Sequence, residues 1–215
     1  GTSDAAALIA QGDTSQATIT GETCPHYLEF GLEDFIEQGP VLKISPPIKQ
    51  RENCDRLWKH LKNRTISFIA SDHAPGTDEE KQPGDIWKNS AGIAGTETLL
   101  PYVFSEGLQK KRLSLPRYLE VMHENAAKRY GFFDRKGSLK AGKDADVVII
   151  DAESDWTVTA KNVLSKGKLS PFEGKIFRGV ISKTLVRGTI VFDRDRQLFG
   201  RPGWGEHLTS KRYGG

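Results

Sequence analysis

Asp72 and His73 close the run "TISFIASDHAP", in which Ile66, Phe68, Ile69 and Ala70 are almost continuously apolar. A carboxylate can ligate a divalent cation or take a proton from water, and an imidazole can do either near neutral pH. Both jobs need a rigid mount. A buried strand that surfaces at a cavity mouth provides one, and catalytic groups gather at strand ends of that kind. The plainer reading is a strand whose polar end meets water. Asp72 is the candidate ligand and proton acceptor, whereas His73 beside it suits a supporting or packing role. His26, in "CPHYL", reads as a structural or loop-orienting histidine, and His60, His123 and His207 as solvated or packing residues.

The elements that must position these groups alternate. "GTSDAAALIAQG" opens on Thr2 or Ser3 as an N-cap and predicts a helix almost from the first residue. "ATITGETCPHYLEF" is β-branched up to its proline, "LEDFIEQG" has helical spacing with a glycine stop, and "VLKISPPIK" is a short extended run closed by two prolines. "QRENCDRLWKHLKN" then sets Cys54, Leu57, Trp58 and Leu61 on one helical face. The run ending at Asp72 has the pattern of a strand covered on both faces, so the alternation favours a parallel sheet or barrel. Helices follow over "TETLLPYVFSEGLQKK" and "LSLPRYLEVMHENAAKRYGF". From about Asp134 the texture changes to short β-rich runs, "DADVVIIDAES", "WTVTA" and "GKIFRGVISKTLVRGTIVFD", which predict a small antiparallel unit. The Gly-, Arg- and Lys-rich end reads as a surface tail.

Composition narrows the classes. The chain has 215 residues, 37% hydrophobic and 27% charged, enough to bury a substantial core. Its net charge is only +3, from 31 basic and 28 acidic residues without a basic patch, which gives no reason to expect nucleic acid. No apolar run approaches the ~18 residues of a membrane span. The two cysteines, Cys24 and Cys54, form no CxxC pair and suit a reducing compartment, so a cytoplasmic location is expected.

Seven segments stand in a telling order: "GETCPHYL", "KISPPIK", "SDHAP", "GIAGTETLLP", "NAAKRYGF", "KGSLKAGKDADVVIID" and "SPFEGKIFRGVISKTLVRGTIVFD". With them the chain resembles the dihydroorotase, allantoinase and hydantoinase branch of the amidohydrolase superfamily, over nearly its whole length. The resemblance implies an α/β fold in which residues 1–133 are the C-terminal part of a TIM (β/α) barrel. Residues 134–215 would then supply part of a small antiparallel β-sandwich plus the tail. It implies a hydrolase that opens a cyclic amide with two divalent metal ions, zinc by expectation. Asp72 matches the carboxylate that binds one metal and accepts the proton of the bridging water. Ser45, His73, Gly76 and the loop residues Ala91, Gly92 and Gly95 fall at or beside positions that face the substrate ring. Gly92 and Gly95 suit a backbone that approaches a flat ring closely, although an ordinary turn before a helix would use them as well.

The departures matter as much. Dihydroorotases carry a histidine just after "DHAP" and an asparagine before the proline pair; this chain has Gly76 and Ser45. Dihydroorotase-like ring opening is the first expectation, with allantoinase or hydantoinase/dihydropyrimidinase chemistry as the alternative and a non-catalytic assembly protein as a further one. No His-x-His occurs in the chain, and the other family metal ligands are absent too. One carboxylate cannot assemble a two-metal centre, and two strands with one further candidate cannot close a barrel of about eight. The chain alone is therefore expected to be inactive, with a missing N-terminal half as its partner. A homo-oligomer is expected as well, with Trp204, Arg201 and Arg212 as contact candidates.

Overall fold

The structure, a computed structural model, describes residues 2–12, 19–82 and 84–210. Helix α1 (Ser3–Gly12) is capped by Thr2, whose Oγ1 accepts a hydrogen bond from Ala5 N at 3.2 Å. It docks through buried Ala6 and through Ser3 N, which donates to Asn53 Oδ1 at 2.9 Å, while Leu8 faces solvent. Strand β1 (Glu22–Thr23) leads into helix α2 (Pro25–Glu29), whose first position is a proline already fixed at a helical φ. Helix α3 (Leu32–Gln38) follows, with Asp34 reaching back to accept from Gly31 N at 2.7 Å. Helix α4 (Arg51–Lys62) buries Cys54, Leu57, Trp58 and Leu61 on the predicted face.

Strand β2 (Phe68–Ile69) pairs parallel with β1, Glu22 opposite Phe68 and Thr23 opposite Ile69. Both strands are far shorter than their β-branched runs predict, because ladder bonds continue only to Ser67 N→Gly21 O and Ala70 N→Thr23 O, each 2.9 Å. Ala17 and Thr18 lie outside the described residues. The extended run expected over "VLKISPPIK" is instead a 3₁₀ turn, Gly39–Leu42, followed by irregular chain with a cis Ser45–Pro46 bond. Its proline pair offers no ladder donors, and the carbonyl of Lys43 is taken by Gly92 N and the Lys81 ammonium.

Helix α5 (Thr96–Tyr102) widens into a π-type stretch over Val103–Gln109 just after Pro101, which cannot donate a backbone bond. Helix α6 (Leu115–Leu119), capped by Ser114, passes through a second such stretch, Glu120–Glu124, into α7 (Asn125–Arg129). The rest is one antiparallel sheet in the order β3 (Val147–Thr157), β4 (Ile176–Val186), β5 (Thr189–Asp193), β6 (Leu198–Phe199). The two runs "DADVVIIDAES" and "WTVTA" are not separate strands: β3 spans both, with register shifts between Ile149 and Ile150 and between Asp151 and Asp155 absorbing the polar stretch. Nor is the C-terminal stretch wholly loose tail. Leu198 and Phe199 pair with β5, and the Trp204 indole donates to Val186 O at 3.3 Å under Arg187.

One apolar core joins these parts. Leu28, Leu42, Leu57, Leu61 and Tyr102 pack with Val158, Val163, Phe172 and Phe177, so side chains on both sides of residue 134 share it. No helix among the described residues is long and apolar enough to cross a membrane.

Candidate functional site

Parallel pairing brings the carboxyl ends of β1 and β2 to the same edge, the place where α/β sheets collect their ligand-binding groups. Beyond β1, Cys24 is extended (φ −131°, ψ 156°) and caps α2, so it and His26 face that edge across the strand-to-helix junction. Beyond β2 the chain turns at Asp72, which holds a left-handed φ of 46°. A non-glycine residue there is uncommon and marks a backbone fixed by its surroundings. The donor atoms of Cys24, His26 and Asp72 all lie within 4.8 Å of one another, with His26 Nε2 to Asp72 Oδ2 at 3.8 Å.

Their environments differ. His26 is 1% and Cys24 5% exposed, whereas the Asp72 side chain is 54% exposed. Burial pulls the His26 imidazole down to about 4, so it is neutral at pH 7. Burial, and then the nearby Asp72 and Glu22 charges, push the Cys24 thiol up to about 12. Tyr27 is likewise raised, by burial first. Its hydroxyl donates to Pro46 O at 2.8 Å and ties α2 to the loop carrying Ser45. His26 Nε2 is buried without a hydrogen-bond partner, as is Thr23 Oγ1. A buried polar atom in that condition costs about 1–3 kcal/mol, which makes it a marker for something that binds there.

The sequence-predicted residues surround Asp72 as a set of stitched loops. His73 Nδ1 accepts from Gly95 N and Thr96 N, both at 3.1 Å, so the neutral ring carries its proton on Nε2 and clamps the start of α5. Ala74 N donates to Ile93 O at 2.9 Å alongside. Gly92 has φ +134°, and a Cβ there would lie 2.3 Å from Ala74 O; a Cβ on Gly95 would lie 2.4 Å from Ser71 O. These glycines let the 91–95 loop press against the backbone that carries Asp72. Ala91 and Ser45 are exposed, and Gly92 N donates to Lys43 O at 2.9 Å, two residues before Ser45. Gly76 packs under the Lys81 methylenes, and a Cβ on Gly167 would lie 1.8 Å from Gly76 O. Glu97 Oε1 holds that later loop by accepting from Leu164 N and Ser165 N at 3.0 and 2.8 Å. Burial raises the Glu97 carboxyl, but its hydrogen bonds from the backbone and from Ser165 outweigh burial and lower it.

Sequence reasoning missed two participants and misplaced a third. Lys81, in an acidic loop, is buried, and its ammonium donates to Gly92 O at 2.6 Å, Lys43 O at 3.1 Å and Pro40 O at 3.2 Å. Burial, then the neighbouring Lys43 charge, lower it to about 8. Cys24 was not singled out, and His26 faces Asp72 rather than serving only its own loop. The available signal was the Cys-Pro-His spacing at a strand-to-helix junction. His207 is exposed and His60 half-buried, both outside the cluster.

With this geometry in hand, the comparisons with known proteins are specific. The profile of the Amidohydrolase family matches residues 18–191, and the chain belongs to that family. Within it the chain falls in the cyclic amidohydrolase branch of hydantoinases, allantoinases and dihydropyrimidinases. It is 38% identical over 212 residues to an L-hydantoinase of Paenarthrobacter aurescens, covering 98% of this chain and 46% of that protein. An allantoinase of Rubrobacter xylanophilus is 34% identical over 197 residues, 92% of this chain and 43% of the relative. A D-hydantoinase crystal structure superposes with a TM-score of 0.88 at 30% identity, covering 100% of this chain and 48% of that one. The chain thus spans under half the length of these relatives.

Proposed function

We propose that the protein to which this chain contributes opens a cyclic amide ring by hydrolysis, with a hydantoin- or allantoin-type ring as substrate. In this reading Asp72 takes a proton from the attacking water and returns it to the departing ring nitrogen. The supporting observation is the carboxylate just past the carboxyl end of β2, half-exposed and held at a left-handed φ, in a chain whose similar proteins are hydantoinases and allantoinases. An amide carbon is a weak electrophile and its nitrogen a poor leaving group. A positioned base that becomes an acid serves both halves of the reaction. His73 holds the α5 end of the Asp72 loop, and Lys81 joins the Ser45 and Gly92 stretches, so the ring would be met by backbone groups set by these two side chains. The glycines would then serve the loop contact first and the ring second.

Two divalent ions, zinc by expectation, would polarise the ring carbonyl and make hydroxide available near neutral pH. The described residues do not fit such a pair: the one three-donor group is Cys24, His26 and Asp72, and each catalytic ion needs about three protein ligands. The remaining ligands, the rest of a barrel and the completion of a sandwich beyond residue 134 belong, on this reading, to the part of the protein outside this chain. Self-association through the Trp204 and Arg201 region is part of the same proposal; Arg212 lies outside the described residues. A dihydroorotate ring is the weaker choice, since Gly76 and Ser45 carry neither the imidazole nor the amide that its carboxylate and ring would use.

The test is turnover of hydantoin, allantoin and dihydroorotate by the complete protein. Asp72→Ala should cut turnover by roughly 10²–10⁴-fold with unchanged circular dichroism. Undiminished turnover would remove Asp72 from the chemistry.

A further inference from the structure

Cys24 and His26 have no part in the hydrolytic reading, yet they stand against Asp72 with donor atoms no more than 4.8 Å apart. We propose that Cys24 Sγ, His26 Nε2 and an Asp72 carboxylate oxygen form a site for one thiophilic divalent cation, zinc or cobalt, which this chain binds with its own residues. The assignment does not depend on hydrolysis, because it uses only donors present here.

The donor set argues first. Sulfur, imidazole nitrogen and a single carboxylate select zinc-like ions over magnesium or calcium, which ask for six or more oxygens. Second, His26 Nε2 is aimed at the cluster and bonded to nothing, although the residue is 1% exposed. Its distance to Asp72 Oδ2, 3.8 Å, is too long for a hydrogen bond and near the separation of two ligands on one tetrahedral ion. With bonds of about 2.0–2.3 Å, such an ion spaces its ligands roughly 3.3–3.8 Å apart. With the donor atoms within 4.8 Å of one another, closing the cluster asks for about 1.5 Å of movement at most. Asp72, the exposed member, can make it, while Cys24 and His26 are fixed at the junction of β1 and α2.

Cys54 provides the contrast. It is also buried, but its thiol donates to Phe30 O at 3.3 Å inside the core, and among the described residues no imidazole and carboxylate converge on it. Ion binding at Cys24 breaks its S–H bond, sends the proton to solvent and forms a sulfur–metal bond. The imidazole and the carboxylate each add a lone pair, and water completes the shell from the open side. No electron is transferred.

Cobalt(II) added to the metal-free chain tests this. One ion per chain is expected, with a thiolate-to-cobalt charge-transfer band in the near ultraviolet and intense visible absorption of tetrahedral type. Cys24→Ser should erase the near-ultraviolet band and Cys54→Ser leave it untouched. His26→Gln and Asp72→Asn should each weaken binding by more than the roughly 10–100-fold that loss of a supporting hydrogen bond costs. X-ray absorption on the zinc-loaded, unsubstituted chain reads the ligands without any substitution and should report one sulfur. Failure to bind cobalt, a band that survives Cys24→Ser or vanishes in Cys54→Ser, or a zinc shell without sulfur would overturn the site. None of these readouts involves turnover, so the hydrolytic reading and this one can fail separately.

Discussion

Strands β1 and β2 hold two residues each, whereas β3 and β4 run for 11 each. The long sheet answers its own polar groups. Asp193, almost fully buried, accepts from Lys183 Nζ at 2.5 Å and from Asp195 N at 3.1 Å; Asp146 pairs with Lys136 and accepts from Arg187 N at 2.9 Å. Among the described residues no buried side-chain polar atom between 147 and 199 lacks a partner, while Thr23 Oγ1, His26 Nε2 and Asn89 Oδ1 all do in the first region. A regular ladder spends its donors on itself. Two short parallel strands leave theirs, and the loops beyond them, available for a ligand.

The contrast is sharpest if both regions stand on one core, and Phe172 tests that most severely. Its ring lies 4.8 Å from Phe30 and 5.8 Å from Phe177, between the two regions. Phe172→Ala should lower stability by about 3–5 kcal/mol and keep a single unfolding transition by both near- and far-ultraviolet circular dichroism. Two separated transitions would mean that the regions fold independently.

A pair of glycines gauges the difference directly. Gly92→Ala forces a Cβ against Ala74 O at a φ of +134° and should cost on the order of 3 kcal/mol. Gly188→Ala, at φ +76° in the β4–β5 turn with its nearest neighbour 3.9 Å away, should cost only about 1 kcal/mol, the conformational penalty alone. Equal losses in thermal unfolding would erase the distinction between a packed loop and an open turn.

Lys81→Met should cost about 2 kcal/mol by taking the side-chain donor from Gly92 O and one of two donors from each of Lys43 O and Pro40 O. It also changes the pH profile. The lysine drops from 10.5 unfolded to about 8 folded, so between those values the unfolded chain binds more protons. Stability of the unsubstituted chain relative to Lys81→Met should therefore rise as pH increases from 8 to 10.5. A flat difference in urea midpoints across that window would show that the ammonium is not desolvated as its burial implies.

Local patterns carried much of this fold openly. The α4 face of Cys54, Leu57, Trp58 and Leu61 follows from 3.6-residue periodicity, whereas the β-rich run "GKIFRGVISKTLVRGTIVFD", read as one piece, is divided into β4 and β5 by a turn at Arg187–Gly188, with φ 49° and 76°. The apolar run to Asp72 likewise announces a buried segment that surfaces on an acid. Strand lengths were less legible, since a β-branched run says what fits a pleated surface and not whether a neighbour is there to pair with it. Lys81 gave no signal at all: an acidic loop normally keeps its lysine in water, and only the arrival of three carbonyls explains its burial.

By itself, then, the amino-acid order determined the helix faces and the exposed acid at position 72, both set by interactions within a few residues. Only the tertiary structure decided that a thiol at 24 and an imidazole at 26 meet that acid. The parallel register of β1 against β2 brings them together, and such pairing depends on chain segments far apart in sequence, whose meeting no local preference encodes.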